Sequence, residues 1–472
     1  MLAATIIAAA VTLAPSLEAE VRAIAALPGE PSVVSAAGLT KADAPILTIE
    51  NRSAFDVADR HRRLVMVGGP GGRGDDVASA ATVVELVRWF KQSAPAALRR
   101  EWIVSALPAR TFDESDVASY SRWMTFQAPD VVLEVRATFT SNDLVKALRD
   151  VPAGFSPNRT VMLDRVKRPT AYLAKALAQR YPETPAISYI PAVAWTSTLR
   201  LAKLTGDQSL ADKVRRQTAR WMSGGEPLFG DRILLTSVAG TMVFAELGGD
   251  ATRLAAEGAR LASARNDAGI AQYGQGWTDD MFMTSAILSR TGEFDAAAAI
   301  LKSYAARLQR ADGVFIHATD GPFAWGRGNG FAALGLVELL NVLPDGHAAR
   351  ADLLAIYRRL MAGLLPHQAP DGMWRQVIDE PGAYREETAT AMLLTAMQRG
   401  VRRGWLPQSY AGAAARAWSA LKAHVASDAT LVDVCTGTGA GPTRRYYLER
   451  AAITGADDRG GAMALLAAME MW

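Results

Sequence analysis

From about Pro185 onward, apolar positions recur at helical spacing in runs separated by glycine, proline or aspartate. The pattern predicts about twelve helices, near 192–204, 208–222, 233–247, 251–264, 278–289, 293–308, 328–340, 348–364, 386–402, 408–425, a short one near 441–449, and 458–471. Turn signals punctuate them: Leu204-Thr-Gly-Asp207, Leu247-Gly-Gly-Asp250 and Arg290-Thr-Gly-Glu293 each place a C-cap glycine before an acidic residue near the next helix start. Helix pairs repeated six times wind into a solenoid or close into an (α/α)6 toroid. The longer loops carry Trp, Asp, His and Arg together, as expected where loops at one end of a toroid build a pocket, and this favours the toroid.

The N-terminal part has a different period. Short β-type runs at 63–69, 101–107 and 130–136 alternate with a helix-like stretch at 78–92. Such alternation predicts βαβ units on a mostly parallel sheet. The expected organisation is therefore an α/β N-terminal domain over 1–184 and an all-α toroid over 185–472. The glycine-rich turn at 68–74 lacks the Gly-Lys-Ser/Thr ending of a phosphate loop and reads as a plain strand-to-helix turn. Around it, residues 64–136 loosely resemble a zinc carboxypeptidase or succinylglutamate desuccinylase domain, but the segment 67–76 has no histidine to supply the metal site.

Composition narrows the partners. The 472 residues are 50% hydrophobic with a formal charge of +3, which gives no electrostatic footprint for nucleic acid. The single cysteine, Cys435, rules out an internal disulfide and a cysteine-based zinc knuckle. The five histidines are scattered, so no metal is expected. Residues 1–15 are apolar like an export segment but lack its basic start, leaving a first helix as the alternative. Periplasmic or secreted location is the reading, cytoplasmic the alternative. No other run is long and apolar enough to expect a membrane span. Oligomeric state is left open.

Three loop-to-helix junctions concentrate the chemistry: Tyr273–Met283, His317–Phe331, and Asp371–Gln376 running on to Tyr384–Thr390. Sugars explain such mixtures, because indole rings stack on apolar sugar faces, arginine forks onto carboxylates, and a carboxylate does acid/base work.

The motifs Trp277-Thr-Asp-Asp-Met-Phe-Met283, Trp325-Gly-Arg-Gly-Asn-Gly-Phe331, Gly372-Met-Trp-Arg-Gln376 and Glu387-Thr-Ala-Thr-Ala391 resemble the unsaturated uronyl hydrolases. The likeness is nearest to glycoside hydrolase family 105, the unsaturated rhamnogalacturonyl hydrolases, with family 88 more distant. It extends in order over about 187–472 and includes Tyr446-Tyr447 and Asp458-Arg-Gly-Gly461. The resemblance implies metal-free, cofactor-free removal of a 4,5-unsaturated uronic acid from the non-reducing end of lyase-generated oligosaccharides. An aspartate protonates C4 and then helps deliver water to C5.

By motif position that aspartate is Asp279; its competing reading is a helix N-cap. Asp280 is rotated about 100° away on the helix. Asp231, expected at the start of the third helix, is the candidate partner that raises the acid's pKa, or else an ordinary cap. The resemblance assigns sugar contacts to His317 and Arg327, against a ligand-free loop residue and a helix-end brace respectively. Trp277, Trp325, Trp374, Arg375 and Glu387 are read either as pocket lining or as core and loop ties. Phe331 departs from the family's usual tryptophan. Two other functions are weighed: a uronidase or lyase on the same toroid, and a non-catalytic glycan-binding or scaffold protein.

Overall fold

A computed structural model of the chain describes residues 18–52, 55–68, 76–108 and 117–472. The apolar stretch 1–15 and the tip of the glycine-rich turn lie outside them. The described chain divides into two compact units: up to Lys167 with the short segments 369–371 and 380–384, and the remainder from Arg168.

The first unit holds a five-stranded sheet. Its strands are β1 (Ser32–Leu39), β2 (Pro45–Asn51), β3 (Arg62–Gly68), β4 (Trp102–Leu107) and β5 (Val131–Val135), in the order β1-β2-β4-β3-β5. The pairs β3–β4 and β3–β5 are parallel, as the alternation with helices predicts. Strands β1 and β2 pair antiparallel with each other, and β2 pairs antiparallel with β4. The pattern did not reveal them, because Ser32-Val-Val-Ser-Ala-Ala-Gly-Leu39 is mostly small residues and offers little contrast between its faces. Strand β3 is a continuous apolar run because both faces are covered. Leu64 and Met66 join the core that includes Val83, Val87 and Phe90 of the Asp76–Gln92 helix, and Val65 and Val67 pack with Trp123 on the other side.

In the second unit, six helices form a closed inner ring. Taken in order they are Tyr189–Thr205, the broken pair Leu235–Gly240 and Met242–Leu247, Thr278–Thr291, Gly326–Val342, Glu387–Arg402 and Asp458–Glu470, with the last packing on the first. The outer partners are Gln208–Met222, Thr252–Ser263, Phe294–Leu308, Arg350–Leu364, Ala411–Ala423 and Thr170–Arg180. The count of twelve thus stands with one exchange. The Thr170–Arg180 helix, ahead of the expected boundary, packs on the last inner helix and completes the ring, whereas the short Arg444–Leu448 helix belongs to a loop. That loop also contains a two-stranded ribbon, β6 (Leu431–Cys435) with β7 (Ala452–Gly455), in a region where only helices were expected.

The turn chemistry works as the sequence suggests. Gly206 and Gly292 close their helices with φ of 71° and 84°, and Asp207 accepts from Ser209 N–H at the next helix start. At the C-terminal halves of the inner helices, charges are tied together. Glu338 bonds Arg290 at 2.6 Å and Arg399 at 3.0 Å, and Arg399 bonds Glu470 at 2.9 Å. Burial opposes ionisation of Glu338, yet the two arginines hold its carboxyl down to about 2. This brace leaves the N-terminal ends of the same helices as the place for chemistry.

Candidate active site

Asp279 is the second residue of the Thr278–Thr291 helix, and Trp277 occupies the N-cap position. Asp279 does not act as a cap. Its Oδ2 lies 3.2 Å from His317 Nε2, while Oδ1 takes no bond among the described residues and the side chain keeps 14% exposure. Asp280 has the opposite environment. Its Oδ2 accepts from Gln275 N–H at 3.0 Å, Gly276 N–H at 2.7 Å and Tyr304 O–H at 2.6 Å. Burial pushes the Asp280 carboxyl up to about 6, against the pull of those bonds. Adjacent aspartates therefore divide the work: Asp280 holds the Gln275–Trp277 loop, and Asp279 is presented at its edge.

His317 comes from the next long loop and is completely buried. Its carbonyl accepts from Thr278 N–H at 3.0 Å, satisfying a backbone donor at the start of the Asp279 helix. Its ring lies 4.5 Å from Trp325 and 5.3 Å from Trp277, and Nδ1 sits 2.8 Å from the Tyr447 hydroxyl. Asn329 clamps the same loop, accepting from Phe315 N–H at 2.8 Å and donating to Phe315 O at 2.9 Å. The glycines of the Trp325–Phe331 motif serve helix packing rather than close approach of a ligand. A Cβ on Gly326 would come 2.3 Å from Arg375 O, and one on Gly328 would come 2.6 Å from Thr278 Oγ1.

The remaining expected residues fall into two groups. Trp277 is half-buried beside Asp279. The others lie behind the surface. Arg327, 2% exposed, is a brace: its guanidinium donates to Cys435 O at 2.7 Å, Thr436 O at 2.8 Å and Thr388 Oγ1 at 3.3 Å. It thereby fixes the end of β6, where the resemblance had implied a sugar contact. Trp325 and Phe331 are core. Phe331 has no exposure and packs on Phe282 at 6.0 Å, Tyr189 at 5.5 Å and Trp325 at 6.4 Å. Trp374 is also core, its indole donating to Leu364 O, and Arg375 is buried with a bond to His367 O. Glu387 is fully buried with neither carboxyl oxygen hydrogen-bonded among the described residues, so burial, then the charges of Glu386 and Asp457, raise its pKa well above the ordinary value. Asp231 does not start the third helix. It sits in an exposed turn four residues ahead of Leu235, with no bond to Asp279 among the described residues.

Tyr189, Asp457 and Glu386, which the sequence did not single out, lie at the same ends of the inner helices. Tyr189 begins the first inner helix and feels the charges of Arg327, Asp279, Arg459 and Asp457. Asp457 caps the last inner helix through Arg459 and Gly460 N–H, and Glu386 caps its neighbour through Thr388 and Ala389 N–H. Half-buried Tyr446 sits edge-on to Tyr447 at 5.3 Å. Tyr446-Tyr447 stands in the sequence as a motif, but its distance from His317 along the chain concealed the contact of the Tyr447 hydroxyl with the histidine ring.

A family model described as Glycosyl Hydrolase Family 88 matches residues 165–472. Protein Atu3128 of Agrobacterium fabrum is 36% identical over 121 residues, covering 22% of this chain and 52% of that protein. The unsaturated 3S-rhamnoglycuronyl hydrolase of Alteromonas sp. (strain LOR) is 30% identical over 110 residues, covering 23% of this chain and 27% of that enzyme. The chain thus spans about half, or less, of the length of these relatives. Among solved structures, a possible member of the GH105 family from Salmonella enterica superposes with a TM-score of 0.57 at 20% identity, over 68% of this chain and 95% of that one. That likeness speaks to the fold.

Proposed function

Given that this chain belongs to Glycosyl Hydrolase Family 88, we propose that it removes a 4,5-unsaturated uronic acid from the non-reducing end of lyase-generated oligosaccharides, with Asp279 as the proton-transferring group. One observation carries this reading. Asp279 stands at the N-terminal end of an inner helix with one oxygen held by buried His317, the other without a bond among the described residues, and the Trp277 indole packed on the same histidine at 5.3 Å.

The chemistry follows from the substrate's vinyl ether. C4 is the electron-rich carbon, so an acid proton adds there and positive charge develops at C5 and the ring oxygen. Water adds to C5 and returns a proton to the Asp279 carboxylate, which restores the acid. The resulting hemiketal opens, C1 becomes a hemiacetal, and the next sugar leaves. The Trp277 ring supplies a face for the flat unsaturated ring. A relative named unsaturated 3S-rhamnoglycuronyl hydrolase supports this substrate class. The first unit, with its own sheet and cores, is read as an α/β accessory domain.

The test is loss of the ultraviolet absorbance of the unsaturated uronate on incubation with lyase-generated oligosaccharides. Asp279→Asn is expected to lower kcat by roughly 10^2- to 10^4-fold. A wild-type protein that releases saturated uronate instead, or that leaves both substrates unchanged, would refute the proposal.

A further inference from the structure

We propose that Tyr447 is a positioning residue: through His317 it keeps the proton on the ring nitrogen that faces Asp279, and thereby makes Oδ1 the oxygen that moves the proton. The second half of this statement rests on the role of Asp279 proposed above; the first half concerns the tautomer alone.

Donors and acceptors around the Tyr447 hydroxyl decide where the imidazole proton sits. A backbone N–H can only donate, and Gly441 N–H points at the Tyr447 oxygen at 3.3 Å. The phenol oxygen can accept more than one bond, but its own proton needs an acceptor, and among the described residues His317 Nδ1, at 2.8 Å, is the one within reach. Nδ1 is then bare, and a neutral imidazole must carry its proton on Nε2. That Nε2–H donates to Asp279 Oδ2 at 3.2 Å. The reverse tautomer would aim the Nε2 lone pair at the carboxylate and leave the tyrosine proton without this acceptor. With Oδ2 engaged, Oδ1 remains for C4 and for water.

Packing keeps this arrangement from relaxing. Tyr447 and His317 are both without exposure. The tyrosine ring is flanked by Phe323 and Tyr446, each at 5.3 Å. A Cβ on Gly321 would lie 2.4 Å from the Tyr447 oxygen, so the hydroxyl has little room behind it. Burial also pushes the Tyr447 phenol up to about 12, which keeps its proton in place at neutral pH. Besides His317, the titratable groups that interact with Asp279 are Asp280 on its own helix, Tyr189, Arg327 and Tyr447.

The experiment uses the full chain labelled with 15N-histidine, with the His317 signals assigned by their loss in His317→Gln. Wild type is expected to show Nε2 protonated and Nδ1 bare, and Tyr447→Phe to shift the population toward Nδ1–H. A proton on Nδ1 in wild type, or an unchanged tautomer in Tyr447→Phe, overturns the proposal whatever the activity. A second readout is kcat against pH on an unsaturated oligosaccharide. Tyr447→Phe should lose roughly 10- to 100-fold in kcat, as outer hydrogen-bond partners typically do, with KM little changed. A lone pair facing Asp279 favours its protonated form, so the basic limb should move up by about one pH unit. Gly321→Ala, which displaces the hydroxyl without deleting it, should shift the profile the same way. A tautomer shift with an unmoved profile refutes the link to Oδ1. An inactive wild type would refute the proposed reaction, and the nitrogen signals would still decide the tautomer.

Discussion

Asp280→Asn isolates the energetics of the segment that presents Asp279. Burial displaces the Asp280 carboxyl from an ordinary 3.8 to about 6, although Tyr304 O–H and two backbone N–H groups pull the other way. The folded state therefore holds this proton more tightly than the unfolded chain does. The associated stability is fully present below pH 3.8 and is lost as pH rises through about 6. The displacement corresponds to about 3 kcal/mol. Asparagine occupies the same volume and does not titrate. Urea unfolding of both proteins, followed by tryptophan fluorescence at intervals from pH 4 to 7, gives a difference curve in which other titrating groups, such as Glu30 and Glu387, cancel. The wild type should lose about 2 kcal/mol of this relative to Asp280→Asn between pH 4 and 6.5, and the curve should be nearly flat above that. A flat curve throughout would mean that burial does not displace Asp280. A curve of opposite slope would mean that the three hydrogen bonds outweigh burial and keep the carboxylate ionised in the fold.

Two further changes test the braces around the site. Arg327→Lys keeps the charge but cannot fork onto Cys435 O, Thr436 O and Thr388 Oγ1, so it should cost about 2–4 kcal/mol, read as a lowered thermal midpoint. A midpoint within a degree of wild type would show that the guanidinium contacts are not needed to hold the end of β6. Glu387→Gln removes a buried acid whose folded pKa lies well above 4.5, so wild-type stability from this group is full below that value and is lost as pH rises. The urea midpoint of the variant should gain on wild type steadily above about pH 4.5, and parallel curves would show that Glu387 is not held protonated.

Periodicity alone located three strands and eleven of the twelve ring helices, because each of those segments has a strong one-sided or continuous apolar pattern. It also placed the Gly206 and Gly292 turns, since only a residue without Cβ takes those φ values readily. The missing pieces have local reasons. Strands β1 and β2 are weakly patterned, and β6 and β7 are short pieces within a loop. The Thr170–Arg180 helix is amphipathic, but nothing within it says that it closes a ring.

At the site, the motif order marked Asp279, His317 and Trp277, and the structure gathers these three. It could not tell a residue that lines a pocket from one that braces it. Arg327, Trp374, Arg375 and Glu387 have the residue types expected of sugar contacts, yet all are buried. Whether an arginine meets solvent or a backbone carbonyl depends on what the chain brings back against it, here β6 more than a hundred residues later. Likewise, helical geometry separated Asp279 from Asp280 by angle, while the Tyr304 hydroxyl and the Gln275–Gly276 amides decided which of them is buried. The sequence by itself determined the helices and their order, because those depend on neighbours three and four residues away. Exposure, hydrogen-bond partners and the tautomer facing Asp279 were decided only by closure of the ring, which sets residues far apart in the chain side by side.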